Sequence, residues 1–268
     1  MTGPATTRRF ERYVAIGDSS TEGLDDPDGR GGYHGWANRL AERIAAIQGS
    51  LLYANLGVRG LSTRDILEEQ LEAALALRPD LATIFSGTND VVARGFDPER
   101  VAADVAAMQS ALVAQGATVL TFTLPDLTPV MPLARRILPR VLALNDALRR
   151  ASLKSGAILV DVARHPVASD PRLWSEDRLH ANAEGHVRIA AALGHALGLP
   201  GSHAGWADPL PALSAPTRLE RVAAELRWGR RHLLPWMWRH LRGQSSGDGR
   251  TAKRPVLEPV SPAGTTGR

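Results

Sequence analysis

Residues 13–20 read YVAIGDSS, a short apolar run that leads directly into a glycine, an aspartate and two serines. An apolar run of this length, bounded by turn residues, is typical of a strand buried in a parallel sheet. Similar runs stand at residues 51–55, 81–85, 118–123 and 157–160. Between them, apolar residues recur every three or four positions, which predicts helices at residues 36–47, 63–77, 98–115, 133–155 and 183–197. This alternation predicts an α/β fold with five parallel strands and helices packed against them.

Residues that could carry out chemistry stand directly after the first three predicted strands. They are Ser19, then Gly57 in the segment NLGVRG at residues 55–60, then Asn89 in the segment GTND at residues 87–90. Open α/β sheets place their ligand sites at the carboxyl ends of the strands. There a serine hydroxyl could act as a nucleophile, while a glycine N–H and an asparagine amide could donate hydrogen bonds. Taken singly, each residue is also typical of a turn or a helix cap.

A fourth segment, DRLH at residues 177–180, precedes the last predicted helix. On one helical turn, an aspartate three residues before a histidine can accept a hydrogen bond from one imidazole nitrogen. The other nitrogen can then face a serine, which is the arrangement of a Ser-His-Asp triad. A capped surface helix would explain this segment equally well when it is taken alone.

The four segments together, in this order, resemble the SGNH hydrolases, also called the GDSL esterase and lipase family. The residues that match the four letters of that name are Ser19, Gly57, Asn89 and His180. Asp177 stands at the expected distance before the histidine, and a Gly-Trp pair follows the first segment at residues 35–36. The similarity covers residues 13–197. One departure is Ser20, where the family name has a leucine, and it concerns local packing and not the chemistry.

The resemblance implies a flavodoxin-like three-layer α/β/α fold and a hydrolase of carboxylic esters with small or medium acyl groups. His180 would remove the proton of Ser19, and Asp177 would orient the imidazole ring. The backbone N–H groups of Ser19 and Gly57 and the side-chain amide of Asn89 would bind the oxyanion. A carbohydrate O-deacetylase or an acyl-thioesterase would use the same residues. An interpretation from a different class is a catalytically silent binding module.

Several classes of site are excluded or not indicated by the 268 residues. The absence of cysteine excludes disulfides, thiolate metal sites and a cysteine nucleophile. The sequence has no metal-ligand spacing, no Gly-Lys-Ser/Thr phosphate loop and no dinucleotide fingerprint. We therefore expect no cofactor and no metal, and a small-molecule ester as the substrate.

The positive net charge of +4 is concentrated near the C-terminus. Residues 218–254 contain ten arginines and lysines against three acids, so the remainder of the chain is mildly acidic. Since the basic residues lie outside the predicted catalytic body, their number alone does not indicate a nucleic-acid partner. No apolar run is long enough for a signal peptide or a membrane span, so we expect a cytoplasmic protein.

The composition divides the chain into three predicted parts. Residues 1–200 form the hydrolase domain, residues 201–242 form a basic, tryptophan-containing helical extension, and residues 243–268, rich in Gly, Ser, Thr and Pro, form a disordered tail. The stretch 217–242 has three interpretations: a helix packed back on the core, a weak peripheral membrane anchor, or a nucleic-acid patch. We favour the first, because Pro235 interrupts the run and an interfacial helix would need more length. We expect no nucleic-acid partner.

Overall fold

The computed structural model describes residues 8–212, 218–233, 247 and 249–260. Within these residues the core is one mixed sheet. Its strands are β1 (Arg12–Gly17), β2 (Leu52–Asn55), β3 (Leu81–Phe85), β4 (Thr118–Phe122), β5 (Ile158–Val160) and β6 (Arg254–Pro259). Their order in the sheet is β5-β4-β3-β1-β2-β6. The first five pair in parallel, which confirms the five predicted strands.

The pairing of β1 with its two neighbours decides where the site lies. Ala15 of β1 aligns with Asn55 of β2 on one side and with Thr83 of β3 on the other. The carboxyl ends of β1, β2 and β3 are therefore adjacent, and so are the loops that follow them. Every residue of β3 is buried, as expected for a central strand covered on both faces.

Helices cover both sides of the sheet, so the predicted three-layer architecture is confirmed. The α-helices are α1 (Ser19–Glu22), α2 (Gly35–Gln48), α3 (Thr63–Ala76), α4 (Pro98–Ala114), α5 (Leu138–Ser155), α6 (Ala183–Ala196) and α7 (Arg218–Trp228). Helix α2 packs against α6, while α4 packs against both α3 and α5. The one-turn helix α1 was not predicted, because four residues are too few to show an apolar period.

The predicted helix over residues 133–155 is divided in the structure. A 3-10 helix covers Pro132–Arg136, and α5 begins only at Leu138. Pro139 stands in the first turn of α5, where a missing N–H is tolerated. The proline thus marks the start of the α-helix and not a position within it.

The predicted disorder of residues 243–268 is wrong for Arg254–Pro259, which form β6. This strand pairs antiparallel with β2 and completes the edge of the sheet. Its two prolines conceal it in the sequence, yet an edge strand tolerates proline because one row of its backbone groups makes no ladder hydrogen bonds. Just before it, the Lys253 ammonium donates to the carbonyl oxygens of Tyr33 and His34, at 2.8 and 2.9 Å.

The predicted helical extension is described only in part. Helix α7 continues into a π-helical turn, Gly229–Leu233, which confirms helical structure over these residues. The predictions for residues 213–217, 234–246, 248 and 261–268 lie outside the described residues. The domain boundaries themselves remain predictions. In the ranges that the structure describes, no helix combines the length and the apolar character needed to cross a membrane.

Candidate active site

The turn after β1 places Ser19 at the first position of α1. Asp18 caps this helix, because its Oδ1 accepts a hydrogen bond from the N–H of Ser20 at 3.0 Å. Gly17 has φ 152°, and a Cβ there would lie 2.2 Å from Thr21 Oγ1. Gln70 of α3 bonds to both backbone groups of Gly17, at 2.8 and 2.9 Å. These contacts fix the position from which the Ser19 hydroxyl projects.

Ser19, His180 and Asp177 come together as one hydrogen-bonded chain. The Ser19 Oγ lies 2.8 Å from His180 Nε2, and His180 Nδ1 lies 2.6 Å from Asp177 Oδ2. Asp177 Oδ1 also accepts the backbone N–H of His180 at 3.0 Å. The three predicted triad residues therefore have the geometry of a nucleophile, a base and an orienting carboxylate.

The segment that carries Asp177 and His180 is a turn before α6, and not the helical turn that the spacing predicted. Arg178 has φ 65°, in the left-handed region, which costs a residue other than glycine about 1–2 kcal/mol. This reversal lets both the side chain and the backbone N–H of His180 point toward the Asp177 carboxylate.

The charges of the site favour an imidazolium next to a carboxylate. Burial of the ring lowers the pKa of His180, but the hydrogen bond that its Nδ1–H donates to Asp177 and the charges of Asp177 and Asp25 outweigh this effect and raise the pKa above its usual value. Burial raises the pKa of Asp177, yet its hydrogen bonds with His180 and Ser175 bring it well below the usual range. The pair is thus prepared to hold the proton that Ser19 would release.

A second carboxylate, that of Asp25, lies near His180 and is linked to Asp177 through the Ser175 hydroxyl. The Ser175 Oγ lies 2.5 Å from Asp25 Oδ2 and 2.6 Å from Asp177 Oδ1, although a hydroxyl has only one proton to donate. Asp25 Oδ2 is 3.9 Å from His180 Nδ1. The oxygen and nitrogen atoms of Asp25, Asp177 and His180 cluster within 4.8 Å. Both imidazole nitrogens already bond to protein groups, so we assign this cluster to the triad and not to a metal.

Asn89 ends the loop after β3 and is anchored to the loop after β2. Its side-chain amide donates one hydrogen bond to the carbonyl oxygen of Leu61 at 2.9 Å. The adjacent Asp90 accepts from the N–H and hydroxyl of Thr63, at 3.0 and 2.8 Å. Because an amide nitrogen carries two protons, Asn89 keeps a second donor for another acceptor. No hydrogen bond joins Asn89 to the triad in the described residues.

Gly57 is not placed as an oxyanion donor, contrary to the prediction. Its N–H already donates to Asn55 Oδ1 at 2.9 Å. A Cβ at this glycine would lie 2.8 Å from the Glu22 nitrogen and 2.9 Å from the Thr21 Cβ. Gly57 is therefore needed for close packing of its loop against α1.

Gly60, in the same loop, has the free donor that Gly57 lacks. Among the described residues from Leu56 to Thr63, only the backbone N–H groups of Gly60 and Leu61 make no hydrogen bond. Gly60 has φ 82°, which favours glycine. Both glycines stand in the same sequence segment, and the contact of Gly57 with Asn55 shows which of the two N–H groups is already used.

His186 and Trp36 support the segment that carries Ser19 through hydrogen bonds to Ser20 and Leu24. His186 Nδ1 accepts the N–H of Trp36 at 3.1 Å, so its Nε2 carries the proton and donates to the Leu24 carbonyl at 2.9 Å. Burial lowers the pKa of His186 to about 4, which keeps the ring neutral. The Trp36 indole N–H donates to the Ser20 hydroxyl at 3.2 Å. The Gly-Trp pair of the sequence is thus part of the support for the site.

Comparisons with known proteins identify the family to which the chain belongs. Residues 15–188 match the model of the GDSL-like lipase/acylhydrolase family. No curated protein matches the chain in sequence.

Three similar solved structures share its fold at low identity. LAE5, an alpha/beta hydrolase enzyme from the metagenome of Lake Arreo, Spain, has a TM-score of 0.60 and 24% identity, covering 70% of this chain and 95% of that one. TesA has a TM-score of 0.58 and 22% identity, covering 70% and 98%. Axe2, an acetylxylan esterase from Geobacillus stearothermophilus, has a TM-score of 0.60 and 17% identity, covering 75% and 100%. Because the family match extends over more than half of the sequence, the chain belongs to the GDSL-like lipase/acylhydrolase family and is an SGNH-type ester hydrolase.

Proposed function

We propose that this protein hydrolyses carboxylic esters of small or medium acyl groups through an acyl-enzyme on Ser19. The observation that carries the proposal is the unbroken chain from the Ser19 hydroxyl through His180 to Asp177, at 2.8 and 2.6 Å. Distances of this size allow proton transfer without rearrangement of the side chains.

In the first half of the reaction, the Ser19 Oγ attacks the carbonyl carbon of the ester while its proton moves to His180 Nε2. Asp177 stabilises the imidazolium, and the carbonyl oxygen becomes an oxyanion. The bond from carbon to the alcohol oxygen then breaks, and the alcohol leaves with the proton from His180. The acyl group stays on Ser19.

In the second half, water attacks the acyl-enzyme and gives its proton to His180. The second tetrahedral intermediate collapses, the carboxylic acid leaves, and the proton returns to Ser19. Each carbon–oxygen bond formed on the acyl carbon is matched by one broken, so no further reactant is needed.

Three donors are available for the oxyanion: the N–H of Ser19, the second amide proton of Asn89 and the N–H of Gly60. The Ser19 N–H is free, because in the described residues it bonds to no acceptor and it stands at the first position of a helix. Loss of one oxyanion donor typically lowers kcat by about 100-fold or more.

Three substrate classes fit the proposal: simple carboxylic esters, acetylated sugars and acyl thioesters. An acetylated sugar and an acyl thioester present the same carbonyl chemistry as a simple ester. Axe2 is an acetylxylan esterase by name, but at 17% identity it supports only the shared fold. A cytoplasmic location and a weak peripheral membrane contact through residues 217–242 remain predictions.

The proposal is tested with p-nitrophenyl esters from acetyl to palmitoyl, acetylated xylo-oligosaccharides and acyl-CoA, using wild type and Ser19→Ala. We expect hydrolysis that is greatest at short or medium acyl chains and that disappears in the variant. Higher kcat/KM on the sugar or the thioester would identify one of those substrate classes instead. Equal hydrolysis by both proteins would contradict the assignment of Ser19.

A further inference from the structure

Helix α7 lies outside the family match at residues 15–188, yet it contacts the catalytic turn. Residues 174–182, before α6, form the loop that carries Asp177, and we call it the Asp177 loop. Three of its consecutive residues contact one face of α7 and of the turn that follows α7. The contacting pairs are Glu225 with Arg178, Trp228 with Asp177, and Arg231 with Glu176. The helix partners are three residues apart, as expected for one helical face.

Two of these contacts are close and partly buried. The indole N–H of Trp228 donates to the Asp177 carbonyl oxygen at 3.0 Å, and the Trp228 side chain is buried. The guanidinium of Arg178 contacts both carboxylate oxygens of Glu225 at 2.8 Å and lies 4.8 Å from the Trp228 ring centre. The third pair, Arg231 with Glu176, is largely exposed at 3.6 Å and adds little.

These contacts involve the part of the loop that determines the orientation of the His180 side chain. Arg178 holds a left-handed backbone conformation, and the two following N–H groups, of Leu179 and His180, donate to the Asp177 carboxylate. If the Asp177–Arg178 peptide turned, these hydrogen bonds and the direction of the imidazole would change. A displacement of about 1 Å in a catalytic group can lower the rate about 100-fold.

We propose that Trp228 and Glu225 are positioning residues, which hold the Asp177–Arg178 turn so that His180 Nε2 faces Ser19. Helix α7 is then part of the catalytic scaffold, although it lies beyond the part of the chain that matches the family. The activity readout of this inference rests on the proposed function.

The test uses the full chain with conservative variants. Trp228→Phe removes the indole N–H and keeps an aromatic ring, while Glu225→Gln removes the charge and keeps the shape. We expect each to lower kcat about 10-fold with KM changed less than twofold, because the loss is in the geometry of the reacting groups. Leu226→Ala, on the exposed side of α7, is the matched control and should keep wild-type kcat.

A second readout needs no substrate. In protein with ¹⁵N-labelled histidine, NMR titration should show a raised pKa of His180 in wild type and Leu226→Ala, and a lower pKa in Trp228→Phe. If wild type hydrolyses no ester, the proposed function fails, whereas this titration still tests the positioning role. Unchanged kcat and unchanged titration would overturn the inference. A loss of activity that only follows the folded fraction, with the titration unchanged, would overturn it too.

Discussion

His180 contacts a hydroxyl on one side and a carboxylate on the other. In the proposed mechanism its protonation therefore sets the pH range of the reaction. As the proposed general base it must be neutral, and its pKa is raised above the usual value by Asp177 and Asp25 against the effect of burial. The rate constant kcat/KM should therefore rise with pH through this raised pKa.

Asp25→Asn should move the acid limb of the kcat/KM profile to lower pH. The substitution removes a negative charge 3.9 Å from His180 Nδ1, which makes the imidazolium less favourable and lowers its pKa. The profile of Asp28→Asn, an exposed acid on the same loop, is the control and should match wild type. An acid limb that stays in place in Asp25→Asn would show that Asp25 does not act on the histidine.

Backbone ester substitution distinguishes the two glycines of the NLGVRG loop. Replacing Gly60 by glycolic acid removes its N–H without adding atoms, and should lower kcat about 100-fold if this N–H binds the oxyanion. The same exchange at Gly57 should leave kcat within a few-fold, because that N–H serves Asn55. It should instead lower stability by about 1 kcal/mol for the lost hydrogen bond. The opposite ranking of kcat values would restore Gly57 as the donor.

The sequence predicted the three residues of the Ser19–His180–Asp177 hydrogen-bonded chain, but not the contacts that support them. Ser19, Asp177 and His180 are recognisable because each has a fixed place within a short segment. The contact of Asp25 with Ser175 joins positions 150 residues apart, and no spacing within either segment indicates it. The choice between Gly57 and Gly60 depends on where one Asn55 side chain points. Short segments therefore identify candidate reacting groups, whereas contacts between loops depend on the three-dimensional fold.

At the scale of elements, β1 to β5 and five helices were predictable because each carries a clear apolar pattern. Strand β6 was missed, since its residues RPVLEP contain two prolines and show no alternation of buried and exposed positions. Its place is determined by backbone pairing with the edge of β2 and by contacts between distant parts of the chain, such as the packing of Leu257 against the core. The sequence also did not predict the role of α7, because its contacts are with residues 176–178, about 50 positions earlier in the chain.

Removal of β6 should weaken the edge of the sheet. A chain ending at residue 246 loses the backbone pairing with β2 and the Lys253 hydrogen bonds, and leaves β2 exposed. We expect a loss of about 2–4 kcal/mol in the free energy of unfolding, at about 1 kcal/mol for each hydrogen bond, and concentration-dependent association through the open edge. A chain ending at residue 260 keeps the strand and is the control. Equal melting temperatures and elution volumes for the two chains would contradict this role of β6.

For the molecule as a whole, Asp18, next to Ser19, makes the free energy of unfolding depend on pH. Its carboxyl group is buried, Oδ2 has no partner in the described residues, and burial raises the pKa of Asp18 to about 7. Between about pH 4 and pH 7 the unfolded chain gives up this proton while the folded chain keeps it. The contribution of Asp18 to stability is therefore complete below about pH 4 and is lost as the pH rises to about 7.

Asp18→Asn should become more stable relative to wild type as the pH rises. The asparagine keeps the oxygen that caps α1 but cannot ionise, so the difference should grow by on the order of 4 kcal/mol between pH 4 and pH 7 and then level off. Urea unfolding of both proteins across this range measures the difference. A difference that does not change with pH would mean that Asp18 is ionised in the folded protein throughout.

The central claim is that Ser19 is a nucleophile activated by His180, and labelling with a fluorophosphonate tests it most directly. Mass spectrometry of the labelled peptides should place one adduct on Ser19 in wild type and none in Ser19→Ala. In His180→Gln the labelling rate should fall at least about 100-fold, because the hydroxyl then has no base at 2.8 Å. An adduct on another residue, or labelling of Ser19 at an undiminished rate in His180→Gln, would contradict the account.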